Sequence, residues 1–285
     1  MASIDEIMIL ARRAFWPGAA LSVLLLSAVS ASAASLTVVN PGFEDISGEI
    51  VQAPFTFGPL NGWDLYDPDT ITAGGAGGTY YIGTLTPTEP DPIGAPGVYS
   101  YFPGGGAEGQ RVGIAFNFFG SGGGGEYGFV QTLADTVQAN TEYTLQVEIG
   151  NIASGLGFNL DGFPGYRVDL LAIDTLNGNA VTILEQDINT LGQPANLIPE
   201  GEFRTSSLTY ITGAAPTEIN QNLAIRLVNL NVIDPAFPLA DLEVDFDDVR
   251  LDAVVVPLPP MLPLIALMVV TLVVPRRTAK IIARR

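Results

Sequence analysis

The chain has 285 residues, with 12 Lys+Arg, 30 Asp+Glu and neither His nor Cys, for a formal net charge of -18. That composition excludes a Ser-His-Asp triad, a thiolate nucleophile, a disulfide framework and a zinc site of the usual nitrogen and sulfur ligands. Any metal must be held by oxygen, which favours calcium or magnesium, and so acidic a chain repels phosphate backbones, so no nucleic-acid partner is expected.

The first segment, residues 1–34, reads as a signal peptide. Arg12 and Arg13 precede the apolar run Ala19 to Val29, and the small residues Ala31, Ser32, Ala33 and Ala34 follow it. A charged start, a short apolar stretch and an Ala-x-Ala exit are the three parts of a secretory signal. Cleavage is expected after Ala33 or Ala34.

Residues 35–252 form the body. Asp5 and Glu6 lie before it and no acid follows it, so it holds 28 of the 30 acids. Its only cations are Arg111, Arg167, Arg204, Arg226 and Arg250, so its net charge is near -23. Absence of lysine removes P-loop and Schiff-base chemistry from the body. Apolar residues recur there at period two: Tyr143, Leu145, Val147 and Ile149 alternate with polar ones, as do Leu223, Ile225 and Leu227. Such alternation marks half-buried antiparallel strands. Further strands are expected at Leu36 to Val39, Val112 to Phe116, Phe129 to Leu133, Tyr166 to Ile173, Phe203 to Tyr210 and Leu242 to Leu251. With Gly/Pro-rich connections and no long 3.6-residue period, the expected fold is an all-β, jelly-roll-like antiparallel β-sandwich. The run Gly120 to Gly125 satisfies GxGxxG only formally, because a strand rather than a helix follows it.

Three constellations in the body invite a functional reading. Asn40-Pro41-Gly42-Phe43-Glu44 opens it, Gly62-Trp63 follows, and Asp245-Phe246-Asp247-Asp248-Val249 closes it. In the closing strand Leu242, Val244 and Phe246 share one parity and Val249 and Leu251 the other, so a β-bulge is expected at Asp247-Asp248. Aromatic residues crowd the first half, among them Trp63, Tyr66, Tyr99 and Tyr101, with Asp64 and Asp67 nearby. Sugar rings stack on such faces while carboxylates take their hydroxyls. Paired carboxylates such as Glu126 with Asp135, or Asp161 with Asp169, are what a glycosidase needs.

The last segment, residues 253–285, carries Val256-Pro257-Leu258-Pro259, an apolar run to Val274 and a basic tail with Arg276, Arg277, Arg284 and Arg285. At about 1.5 Å per residue the proline-free part, Leu264 to Val274, reaches about half of a hydrocarbon core about 30 Å thick. It reads as one marginal C-terminal transmembrane helix whose cationic end stays cytoplasmic.

That order of motif, helix and basic end resembles the C-terminal sorting signals of the PEP-CTERM group, in its VPLPA-type variant. The resemblance implies an exported protein of a Gram-negative bacterium, held first in the inner membrane and recognised by an exosortase. The opening N-x-G-F-E, the G-W and the closing D-D-V resemble the galactose-binding-like jelly-roll carbohydrate-binding modules. That likeness implies a structural calcium held by Glu44 and by Asp247 or Asp248, and a sugar site at Trp63, Tyr66, Tyr99 and Tyr101. The combined expectation is a non-catalytic surface or extracellular-matrix protein that binds polysaccharide. Its partners would be the export machinery, the sorting enzyme and extracellular glycan. The alternatives are a structural matrix protein without a sugar ligand, and a glycoside hydrolase.

Overall fold

Alternation along the chain is what makes these residues strands: in the segment from Thr141 to Ile149 every second residue is buried and those between are half-exposed. The computed structural model describes residues 33–88, 101–118, 124–154, 158–190 and 198–257. Among them the strands are β1 (Ala33–Ser35), β2 (Ile50–Gln52), β3 (Phe55–Phe57), β4 (Asp64–Tyr66), β5 (Tyr80–Leu85), β6 (Val112–Asn117) and β7 (Tyr127–Thr136). They continue with β8 (Thr141–Asn151), β9 (Tyr166–Asp174), β10 (Ala180–Asn189), β11 (Glu202–Ile211), β12 (Asn222–Asn229) and β13 (Leu242–Val255).

The strands form two antiparallel sheets. The larger runs β11-β8-β13-β6-β5-β3-β2 with β1 added to β13, and the smaller runs β10-β9-β12-β7-β4. Between them lies the main core, where Leu145, Val147 and Phe246 of one sheet meet Phe129, Val168 and Leu227 of the other. The all-β antiparallel expectation is therefore met, and the described residues contain no helix long and apolar enough to cross a membrane. Nearly all of the 253–285 segment lies outside the described residues; Ala253, Val254 and Val255 are part of β13, and the Val256 N–H donates to the Asn140 carbonyl at 2.7 Å. Ala33 and Ala34, after either of which cleavage is expected, pair with Val254 and Ala253 in the β1–β13 ladder.

Seven of the expected strands lie within β6, β7, β8, β9, β11, β12 and β13. Leu36 to Val39 differs: after the Leu36 N–H donates to the Leu251 carbonyl at 2.8 Å, the chain leaves the sheet for the Asn40 turn. Sequence gave no sign of β10, because its alternation breaks at a register shift between Ile183 and Glu185 and it is an exposed edge strand. The bulge in β13 is present. Its register against β8 shifts between Asp247 and Arg250, and Asp248 takes φ 48°.

The opening motif and the G-W pair are one structural unit. Trp63 is 1% exposed and stacks on Phe43 at 5.4 Å between centroids, and its indole N–H donates to the Asn40 carbonyl at 3.0 Å. Gly62 at φ 84° has no room for a side chain, because a Cβ there would meet Val39 Cγ1 at 2.7 Å. Trp63→Ala is expected to destabilise the domain by about 3–5 kcal/mol through loss of buried area and a cavity, measured by chemical denaturation.

The larger sheet is covered on its outer face as well. Tyr81 and Leu85 of β5, with Ile114 and Phe116 of β6, pack there against Phe55, Tyr101, Phe102, Ile152 and Leu160 in a second apolar cluster. Tyr101 and Phe102 on one side, with Ile152, Phe158 and Leu160 on the other, thus act as a third layer. This cover encloses the site described next.

Candidate active site

The core-facing residues of β13 before its bulge are Val244 and Phe246, so Glu243, Asp245 and Asp247 project to the outer face. Cross-strand register sets their neighbours. Glu243 lies opposite Phe116, which lies opposite Tyr81, while Asp245 lies between Ile114 on one side and Gly150 on the other. Gly150 in turn faces Phe203 of β11. Two rows of side chains therefore run across one face, Tyr81-Phe116-Glu243 and Ile114-Asp245-Gly150-Phe203.

Gly150 is required by this crowding. A Cβ there would meet Phe203 Cε1 at 2.7 Å, and Asp245 Cβ and Phe102 Cζ each at 2.9 Å. The remaining walls are aromatic: Tyr81 to Phe116 at 5.0 Å, Phe116 to Phe158 at 5.7 Å edge-on, Phe55 to Tyr101 at 6.1 Å, and Phe102 stacked on Phe203 at 4.4 Å. Asp241 pins the cover in place, since its carboxylate accepts from the Asn159 N–H at 3.1 Å and its own N–H donates to the Asn159 carbonyl at 2.6 Å.

The two central acids sit in surroundings that oppose their ionisation. Asp245 is fully buried and Glu243 is 3% exposed. The two carboxyls lie against each other, and neither Asp245 oxygen nor Glu243 Oε1 has a partner elsewhere among the described residues. Burial pushes the Glu243 carboxyl up to about 8, and the neighbouring Asp241 charge adds to the rise. Asp245 is raised well above the ordinary carboxylate range, chiefly by burial and then by the Glu243 charge. A neutral carboxylic acid held among ring faces is a proton donor at neutral pH, and aromatic faces stabilise the cation that protonation creates.

The residues expected to stack on sugars are not gathered on a surface. Trp63 is in the core, and Tyr101 is 1% exposed beneath the cover of the outer face. Tyr66 is half-buried on the opposite sheet, where its hydroxyl donates to Glu126 Oε1 at 2.5 Å and Arg226 lies 4.5 Å above its ring. Tyr99 lies outside the described residues. Glycine-rich flanks suggest exposure for such rings, but at Tyr101 and Phe102 the chain packs onto the outer face of the sheet. Glycosidase-like pairing fails too: Glu126 is bound by Arg167, and Asp169 is shared by Arg167 and Arg226. Both carboxylates are neutralised by cations, and Arg167 holds that of Glu126 below its usual range.

Glu44 and Asp247, expected as calcium ligands, converge on one loop. Glu44 Oε1 accepts from the Gln110 and Arg111 N–H groups at 2.5 and 2.7 Å, and Asp247 Oδ2 accepts from the Glu108 N–H at 2.7 Å. Asp248 turns away to Arg250, 2.7 Å from its Nη2. Among the described residues no three Asp, Glu, His or Cys side chains form a group able to hold a metal. A cation still suits the place, because burial, aided by the Glu108 charge and opposed by backbone amides, pushes Asp247 up to about 7. A side chain at Gly42 would collide with Glu108 and lie 3.6 Å from Asp247 Oδ1, so both acids border the same small space.

Sequence reasoning missed Glu243 and Asp245. It assigned neither acid a role, although β6, the neighbour of β13, reads Val-Gly-Ile-Ala-Phe and is apolar on both sides. Acids registered against a strand that is buried on both faces are themselves buried, and that was the available signal.

A family model described as HpiC1-like, HpiC1 cyclase, matches residues 34–252. Among solved structures, a cyclase from Fischerella sp. TAU is 35% identical, with 80% of this chain and 100% of that one covered at a TM-score of 0.61. The Stig cyclase Fisc from the same organism, in complex with (3Z)-3-(1-methyl-2-pyrrolidinylidene)-3H-indole, is 35% identical over 79% of this chain and 100% of that one, with a TM-score of 0.60. A cyclase from that organism in complex with 4-(1H-indol-3-yl)butan-2-one gives the same four values. No curated protein matches the chain. The family match leaves the C-terminal signal unaddressed but overturns the non-catalytic, carbohydrate-binding or purely structural matrix protein expected from sequence. The β-sandwich body has its outer face closed over buried acids, and the chain belongs to the HpiC1-like cyclase family.

Proposed function

We propose that this chain is an enzyme that closes a ring in a neutral, electron-rich aromatic substrate by acid catalysis, with Asp245 as the proton donor. The observation that carries the reading is a fully buried carboxyl, set among aromatic side chains, whose hydrogen-bonding neighbour is a second buried carboxyl, that of Glu243. The Asp245 carboxyl gives its proton to a carbon of the substrate π-system, leaving a delocalised cation and a carboxylate. A second π-bond of the same molecule attacks the cation to form the ring bond, and a proton returns to Asp245. The net change is an isomerisation, so no oxidant, reductant or co-substrate is consumed. Burial, and after it the Glu243 charge, keeps the proton on Asp245, while Tyr81 and Phe116 present the faces against which a flat ring and its positive charge rest.

Indoles are the natural probes, because a related cyclase has been crystallised with 4-(1H-indol-3-yl)butan-2-one. Saturable heat on titration of the protein with this ketone, lost in Phe116→Ala, is the expected result. Absence of binding across a panel of neutral indoles would count against the substrate class.

Two further readings belong with this proposal. Calcium is proposed to join Glu44 and Asp247 to the loop that follows Gly106, which would fix the edge of the cover over the acids. A melting temperature higher in millimolar calcium than in EGTA is expected, and identical melts would remove the ion. Export is proposed from the Arg12-Arg13 leader and the Val256-Pro257-Leu258-Pro259 segment with its basic tail. Under that reading the enzyme works outside the cytoplasm from a membrane-anchored precursor, and mass spectrometry of cell fractions would detect both processed ends.

A further inference from the structure

A cleft of about 520 Å³ opens beside the buried acids, between residues 103–106 and residues 200–203. Its volume falls within the roughly 300–1,000 Å³ common for small-molecule sites. Its inner wall is Phe203, whose ring stacks on Phe102 at 4.4 Å. These two rings and Asp245 all crowd the same point beside Gly150, within 3 Å of where a Cβ would sit. The stacked pair is thus the partition between the cleft and Asp245, which is fully buried behind it.

The two sides of the cleft differ in their freedom. Phe102 is fully buried, whereas Phe203 is half-buried and lies at the cleft surface. Facing it are three consecutive glycines, Gly104, Gly105 and Gly106, with Gly105 at φ 85°. Across the opening Gly201 takes φ 76°, and a Cβ there would come to 3.2 Å of Pro103. Glycine on both lips keeps the passage open. The mouth carries two exposed carboxylates, Glu200 and Glu202, in a body already strongly acidic.

We propose that this cleft is the entrance by which substrate reaches Asp245, that Phe203 is its gate, and that Glu200 and Glu202 select neutral or cationic aromatic molecules against anionic ones. The inference rests on Asp245 being the reacting acid. Phe203 is the member of the pair that lines the cleft, so rotation of its side chain about χ1 is the movement by which the gate would open, with the strands held still. Charges at a cleft mouth act through the field in front of it, so their effect falls on entry and binding and is weakened by salt.

Two measurements on the full-length protein test it. The first uses no ligand: Asp245 is modified with a water-soluble carbodiimide and glycine methyl ester, and its rate is read by peptide mass spectrometry. Phe203→Ala is expected to speed modification of Asp245 several-fold and Phe203→Leu less, whereas Thr209→Ala, farther along the same strand, leaves it unchanged. Equal rates in wild type and Phe203→Ala overturn the gate. The second compares binding of tryptamine, 4-(1H-indol-3-yl)butan-2-one and indole-3-acetate at low and high salt. The Glu200→Gln, Glu202→Gln double variant should tighten indole-3-acetate several-fold, weaken tryptamine and leave the ketone unchanged, with the differences shrinking in salt. An unaltered ranking, or no binding of any probe to the wild type, overturns the charge selection. Loss of turnover in Asp245→Asn reports on the acid separately, so the entrance and the acid fail on different measurements.

Discussion

Replacing Asp245 by Asn is expected to lower turnover by about 10²- to 10⁴-fold, the range that a positioned general acid contributes, while the fold is kept. Asn has the same shape and fits the same space between Ile114 and Gly150, but has no acidic proton to give. Stability should hold or rise, because a buried carboxyl is a liability whenever it ionises, and the amide cannot ionise. Glu243→Gln is expected to be milder. It removes the negative neighbour that helps keep Asp245 protonated, so activity should be lost preferentially at the alkaline end of the pH profile. Circular dichroism and thermal melts would establish that both variants are folded. An Asp245→Asn protein with wild-type turnover would place the proton donor elsewhere.

In calcium-free buffer the melting temperature is expected to fall as pH rises from about 5 to 8. Glu243 has its folded-state pKa raised from 4.5 to about 8, and Asp245 is raised too. The folded protein therefore holds protons that the unfolded chain releases in this window. Stability from these groups is fully present below the ordinary carboxylate pKa and declines until pH passes the folded-state value. At 1.36 kcal/mol per unit, Glu243 alone makes this a loss of a few kcal/mol, or on the order of 10 °C for a domain of this size. Glu126, lowered by Arg167, has the opposite sign and loses its contribution only in stronger acid, below about pH 4.5. Glu243→Gln should flatten the slope between pH 5 and 8. A melting temperature that climbs across that interval, or a slope indifferent to this substitution, would mean that the acids are not buried as neutral groups.

The fold was largely legible because its long strands alternate cleanly, and because the parity change from Phe246 to Val249 betrayed the bulge. Trp63 was correctly tied to its motif, but the same aromatic character that suits a sugar platform suits a core, and burial decided between them. Periodicity describes one strand at a time. Whether the far side of a strand meets water or a folded-back loop depends on what is registered beside it, and no single segment records that. Glu243 and Asp245 were hidden for this reason: in a body with 28 acids they looked like ordinary surface charge. Tyr101 was misjudged in the converse way, since glycine-rich flanks suggested exposure where the chain in fact packs down.

One strand carries both the hydrophobic seam of the sandwich and its reactive acids, on alternate residues of a single backbone. With a side-chain period of two, losing or gaining one residue before the bulge at Asp248 would exchange Val244 and Phe246 with Glu243 and Asp245. Carboxyls would then face the core and hydrocarbon would face the substrate. Insertions and deletions in this strand therefore abolish folding and chemistry together, while point substitutions act on each alone. Diversification of such a fold is confined to side-chain replacement on β13 and to length changes in the loops that roof it, where the cover can drift in size and shape without shifting the buried acids.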